Sequence, residues 1–190
     1  MPPLCTSVSV SFSSLDWWSN PYVGAHWLAT HELPEKQWQS EVHHGPLSQL
    51  LLLASHQLVE LMLFRCISEV ITANPGKFER QEKNLRRARF EEAFKTLPSE
   101  LGFPPFDLDV QPFSSIKRLQ ERRNATIHKE SALVTIEMGR SALYTAVEAS
   151  RSIAVHFRGP DGFPYEGILK KYPLSAQPWL TEVAFIERAE

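Results

Sequence analysis

Cysteine is scarce in this 190-residue chain: Cys5 stands near the start and Cys66 inside an apolar run. Two such thiols give neither a disulfide framework nor a C-x-x-C metal ribbon, and they read as one terminal and one buried thiol. Excess charge of either sign is lacking too, with 20 Lys and Arg against 22 Asp and Glu and a formal net charge of -2. That balance, with a pI near 6.4, excludes a globally basic nucleic-acid binder and leaves room for a local basic patch. From Met1 to Leu15 there is no Lys or Arg, and Ser alternates with Val8, Val10 and Phe12 where a secretory signal would have a continuous apolar core. The expected address is therefore cytoplasmic, and the Asn124-Ala125-Thr126 sequon is expected to be silent. The longest apolar run, Leu47 to Ile71, is interrupted by His56, Glu60, Arg65 and Glu69, which argues against an unassisted membrane span. Internal repeats are absent, and so are low-complexity tracts beyond the short Ser-rich start.

What the chain has is helical periodicity over its middle. A length of 190 residues, 43% of them hydrophobic, suits one domain with one sizeable core. Leu47, Leu50, Leu51, Ala54, Leu58, Leu61, Met62, Cys66 and Val70 keep the spacing of one helix face, with Pro46 in the first turn and Asn74-Pro75-Gly76 as a stop. A second helix is predicted over Lys77 to Leu97, ended by Pro98, and Gly102 to Pro112 reads as a rigid connector. Ser114 is the expected N-cap of a third helix carrying Ile116, Leu119, Ala125 and Ile127, and a fourth is expected from about Ser131 to Phe157.

The flanks are less regular. Ser7 to Ser13 has the period of a short strand, and Asp16 to His44 reads as a loop or lid with one helical turn near Pro34 to Ser40. After Phe157, Arg158-Gly159-Pro160-Asp161-Gly162 breaks the helix, and the tail is expected to be loop with one short helix or strand at Trp179 to Ile186. His26, His31, His43 and His44 lack the i, i+4 spacing of a helical ligand pair, so no metal site is expected and these read as surface histidines. The expected architecture is mainly α: an irregular leader over 1–45 packing on the bundle, a helical bundle over 46–157, and a C-terminal extension over 158–190.

The stretch with the most chemistry is Arg122-Arg123-Asn124-Ala125-Thr126-Ile127-His128. Asn124 and His128, at i and i+4, share a helix face, whereas Arg123 lies about 140° from His128 at roughly 100° per residue. Arg123 and His128 converge only through the reach of the arginine, a helix irregularity or a second subunit. A guanidinium neutralises the charge that gathers on a pentavalent phosphate, and a histidine can move the proton of a ribose hydroxyl. The competing reading is a solvated helix end with a satisfied histidine. Lys77 to Lys95 and Ser114 to Glu130 each carry a local excess of three positive charges, which suits an RNA backbone. The first of these is explained equally well by a solvated face with Glu79-Lys83 and Glu82-Arg86 pairs.

Arg123-Asn124-Ala125-Thr126-Ile127-His128 resembles the R-N-x-x-x-H form of the Arg-x4-His motif of the HEPN superfamily, the higher eukaryotes and prokaryotes nucleotide-binding domains. His56-Gln57-Leu58-Val59-Glu60-Leu61-Met62-Leu63 is similar to the loose pattern of that family's first long helix, and the resemblance spans about Pro46 to Phe157. It implies a HEPN-like up-and-down bundle and a metal-independent endoribonuclease, without cofactor, whose site forms where two protomers' motifs meet. By the same resemblance, His128 transfers protons, Arg123 clamps phosphate and Asn124 positions substrate or His128, with Glu60 and Arg122 in support. Lys117, Arg118 and Lys129 are the expected RNA contacts. The implied partners are RNA, a second copy of the chain and a neutralising antitoxin or partner protein, as suits a toxin or phage-defence effector. The alternative is a non-catalytic bundle that binds a nucleotide, nucleic acid or protein. His56-Gln57-x-x-Glu60-Leu61 is also similar to a helix motif of tryptophan 2,3-dioxygenase-like haem proteins, but no counterpart of that family's later arginine and haem-ligand segments follows.

Overall fold

The structure is a computed structural model that describes residues 16–31, 45–85, 87–128 and 134–184. Asp16 leads into α1 (Ser19–Thr30). Its carboxylate accepts hydrogen bonds from the Trp18 and Ser19 backbone N–H groups at 3.2 and 3.1 Å and from the Ser19 hydroxyl. Donors that a helix start leaves open are thereby satisfied. This helix overturns the expected loop from Asp16 onward, while the turn foreseen near Pro34 and the strand at Ser7 to Ser13 lie outside the described residues. Trp18, Tyr22, Ala25 and Ala29 recur at helical spacing and are buried. Pro21 obscured that pattern, yet it sits in the first turn, where its missing N–H leaves no gap.

The 27-residue α2 (Pro46–Thr72) is the central element, packed by α1, α3, α5 and α6. By length and composition it could cross a membrane, but more than half of its apolar stretch is buried inside the bundle. The single apolar stripe expected for it is a correction: Leu50 is 52% exposed, while Leu52, Ser55, His56, Val59, Leu63 and Ile67 are buried. A helix enclosed on several sides does not concentrate its buried residues on one face. Each fully buried Leu or Ile here contributes roughly 1.5–3 kcal/mol relative to exposure.

The main partner of α2 is α6 (Ile136–Arg158), whose buried residues include Gly139, Ala142, Ala146, Ala149 and Ser150. A Cβ at Gly139 would lie 2.8 Å from Leu51 Cδ2, so the missing side chain is what permits the close approach. The helix starts later than the expected Ser131: Thr135 caps it by accepting from Met138 N at 3.2 Å. It ends at Gly159, whose φ of +89° suits glycine.

The predicted helix over Lys77 to Leu97 is interrupted. It forms α3 (Glu79–Leu85), with no buried residue, and then a π-helical turn (Glu92–Thr96) continuing into α4 (Leu97–Glu100). Ala93, Phe94 and Leu97 on this stretch are buried in the core. Pro98 does not end the helix; it occupies the first turn of α4. The connector is anchored by Phe106 N donating to Phe94 O at 3.0 Å, and it leads to α5 (Phe113–His128), which begins one residue before the expected cap Ser114.

The tail holds α7 (Glu166–Lys171), which the sequence did not suggest, and a 3-10 turn (Leu180–Glu182) within the element expected at Trp179. Its aromatics complete the core. The Trp18 ring stacks between Tyr22 and Tyr165, at centroid distances of 5.3 and 4.7 Å, with Phe163 edge-on at 5.4 Å. Trp18 Nε1 also donates to Ser150 Oγ on α6 at 3.3 Å. Among the described residues there is no strand, and the architecture is the mainly helical bundle the periodicity called for.

Candidate functional site

Where α5 crosses α2, the inward residues of α5 change character along its length. Ile116 and Leu119 are fully buried, whereas Gln120 and then Asn124, one turn later, carry amides. On α2, His56 and Glu60 are likewise one turn apart, and the His56 side chain is 5% exposed against 48% for Glu60. A polar side chain buried so deeply needs partners on both of its polar atoms. His56 Nε2 is hydrogen-bonded with Gln120 Oε1, and its Nδ1 lies 3.4 Å from Glu60 Oε2. Acceptor oxygens therefore flank both ring nitrogens.

The chain of contacts continues along α5. Gln120 Nε2 donates to Asn124 Oδ1 at 3.5 Å, a long contact, and Arg123 Nη1 donates to the same oxygen at 3.0 Å. The hydrogen bond from His56 holds the Glu60 carboxyl below the usual carboxylate range against the opposing effect of burial, and the charge of Arg123 adds to it. An ionised carboxylate and a guanidinium are thus joined through an imidazole and two amides across two helices. Such a seam fixes the rotamers of its members.

Of the sequence-predicted residues, the structure brings Arg123, Asn124 and Glu60 together. Arg123 bends toward its neighbour Asn124, so its guanidinium turns to the side that faces α2. Arg122 is half-buried, Lys117 is exposed, and Arg118 pairs with Glu121 at 3.2 Å. His128 is the last residue of α5, one helical turn beyond Asn124; its side chain and the whole of Lys129 lie outside the described residues. Gln120 was missed as a site residue. Its signal was available: an amide four residues before Asn124, following directly on the buried stripe of Ile116 and Leu119. His56 fills the role of a satisfied core histidine as well as that of a link in the seam.

Beside Glu60 the outer face of α2 opens into a cleft of about 1020 Å³, bounded also by Asp16 and Trp17 before α1 and by Pro164, Tyr165, Gly167 and Ile168. Its α2 wall carries Gln57, Glu60, Leu61, Phe64, Arg65 and Ser68, and Trp17 stands at it 66% exposed. Arg65 Nη1 donates to Tyr165 Oη at 2.6 Å and its Nε to Glu69 Oε1 at 3.1 Å, which ties the cleft wall to the tail. Sequence reasoning missed this cleft, because Trp17 and Tyr165 meet only through the fold. A shallower groove of about 610 Å³ lies at Glu82, Lys83, Asn84 and Arg87, within the expected basic stretch.

The arrangement offers a fixed cation, a fixed anion and a roomy cleft sharing Glu60 as a common wall. Among the described residues, no group of three or more His, Cys, Asp or Glu side chains is placed to hold a metal ion. Comparison with protein-family models, with curated proteins and with solved structures gives no match to this chain.

Proposed function

We propose that the protein is a metal-independent endoribonuclease of the HEPN type, acting as a homodimer in which two copies of Arg123, Asn124 and His128 share one cleft. The observation that carries this reading is the hydrogen-bonded seam Glu60, His56, Gln120, Asn124 and Arg123, which binds a guanidinium to Asn124, the residue one helical turn before His128. A cation held by a rigid network costs little reorganisation when charge develops on a phosphate.

In the proposed reaction, one His128 takes the proton of a ribose 2′-hydroxyl and the 2′-oxygen attacks the adjacent phosphorus. The two Arg123 side chains neutralise the pentavalent phosphorane. The bond to the 5′-oxygen breaks, and the partner's His128 returns a proton to that leaving oxygen. The products are a 2′,3′-cyclic phosphate and a 5′-hydroxyl end. Two protomers are needed because one Arg-His pair offers a single positive guanidinium and a single proton carrier.

The test is cleavage of a mixed-sequence RNA in EDTA by the wild type, Arg123→Ala and His128→Ala. Each substitution is expected to reduce the rate by about 10²- to 10⁴-fold with helical content unchanged. Undiminished cleavage by His128→Ala, or a strict requirement for a divalent metal, overturns the mechanism. The second reading, a non-catalytic binding module, is favoured by the size of the cleft beside Glu60; it predicts no cleavage by the wild type.

A further inference from the structure

The cleft beside Glu60 is not used by the chemistry above, and its composition is specific. At about 1020 Å³ it lies at the upper end of ordinary small-molecule sites, which run to roughly 1,000 Å³. Trp17 stands at its wall 66% exposed and gives the cleft an accessible indole. Leu61 and Phe64 are partly buried beneath it and give an apolar floor.

The charges of the cleft select among the parts of a nucleotide. Two carboxylates, Asp16 and Glu60, line it, and its cation Arg65 is already engaged by Tyr165 and Glu69. Such a wall repels a phosphate and suits a neutral base. Asp16 spends its oxygens on Trp18 and Ser19, whereas Glu60 is half-exposed with His56 on one oxygen only. Of the two carboxylates, Glu60 alone keeps free acceptor capacity, beside the exposed amide of Gln57 and hydroxyl of Ser68.

A carboxylate accepts two parallel N–H groups most favourably when they sit side by side. Among the four RNA bases only guanine presents adjacent N–H donors, N1–H and N2–H, on its Watson–Crick edge. Adenine and cytosine place a ring acceptor next to their amine, and uracil flanks its one donor with two carbonyls. A flat base also has a face for Trp17, since aromatic side chains stack on nucleobases.

We propose that the cleft binds the guanine base of a nucleotide adjoining the scissile phosphate, stacked on Trp17 with its Watson–Crick edge on Glu60. This rests on the ribonuclease reading, because Glu60 belongs at once to the cleft and to the seam that holds Arg123. The phosphate lies on the Arg123 side of Glu60 and the base on the Trp17 side, so one carboxylate separates the reacting centre from the specificity pocket.

The experiment is calorimetric titration of the full chain with guanosine 3′-monophosphate and with its adenosine, cytidine and uridine counterparts, alongside cleavage of RNAs that differ in one base next to the cut. Guanosine monophosphate is expected to bind at least tenfold more tightly than the others. Trp17→Ala should weaken it by roughly five- to a hundredfold, and Trp17→Phe, which keeps an aromatic face, should restore most of that loss. Glu60→Gln, which sets an amide N–H against the guanine donors, should abolish the preference. Equal binding of all four nucleotides, or guanosine binding that Trp17→Ala leaves unchanged, overturns the proposal. If RNA is cut without preference for guanine and Trp17→Ala changes nothing, the base pocket fails and the ribonuclease reading stands. If no RNA is cut yet guanosine monophosphate binds in a Trp17-dependent way, the ribonuclease reading fails and the pocket stands as a guanine site.

Discussion

Against α6, the helix α2 is closed by Leu51 on a glycine and by a row of alanines, whereas against α5 it presents an imidazole to the Gln120 amide, from which hydrogen bonds run on to Asn124 and Arg123. The first contact is fully buried and the second half-buried, and they do different work. The first gains from dispersion and from removing apolar surface, and it tolerates no change of volume. The second gains little net energy, because each hydrogen bond replaces one to water, yet every partner it loses leaves a costly orphan. One helix therefore carries a stabilising side and a positioning side, and substitutions on the two should separate stability from activity.

The largest expected effect lies on the α6 side. Leu58→Ala should lower unfolding free energy by roughly 2–5 kcal/mol in a denaturant titration, and a loss under 1 kcal/mol would mean that the apolar contact is not the stabilising one. On the α5 side, Gln120→Leu should cost about 1–3 kcal/mol by leaving His56 without its acceptor. Adding His56→Leu should recover most of that loss, since removing both partners is nearly neutral. RNA cleavage by the double variant should stay depressed about tenfold or more; full activity would reduce the seam to packing.

A smaller effect belongs to the end of α6, away from both contacts. Thr135→Ala removes the acceptor for Met138 N and should cost about 1 kcal/mol in the same titration. The smallest concerns pH. Burial beside Phe103, Phe106 and Phe157 pushes the His156 imidazole below its ordinary value of 6.5, opposed by a hydrogen bond with the Pro104 backbone. The folded state favours the neutral ring, so this contribution is complete above about pH 6.5 and is lost as pH falls through the depressed folded value. Thermal unfolding midpoints should fall with acidification in that window, and less steeply for His156→Phe; parallel slopes would assign the effect elsewhere.

The long helices were legible because α5 and α6 keep a 3.6-residue period over four turns or more, and α2 because its long apolar run is bounded by Pro46 and by Asn74-Pro75-Gly76. Asn124 and Arg123 were legible as a local motif on one of them. The rest depended on contacts that no local pattern encodes. Four spaced residues, two of them alanines, made the buried face of α1 too quiet to find, and Pro21 counted against it. The π turn at Glu92–Thr96 left no mark in the sequence, because Phe94 and Leu97 already sit three residues apart, the spacing of an ordinary helix face. Gln120 carried a local signal in its four-residue spacing to Asn124, but its partner His56 lies 64 positions away on α2.

Tyr22 Oη donates to the Tyr172 carbonyl at 2.6 Å across 150 positions, and Trp18 stacks on Tyr165 over nearly the same span. During synthesis at about 5–20 residues per second, the indole waits on the order of ten seconds for its partner to leave the ribosome. Closing a loop that long delays the last packing step until nearly all of the described chain is present. The cleft takes its walls from both sides of this closure, Trp17 and Trp18 from one and Pro164 and Tyr165 from the other. A chain stopped at residue 160 would lack Pro164, Tyr165, Gly167 and Ile168, and with them one whole wall of the cleft.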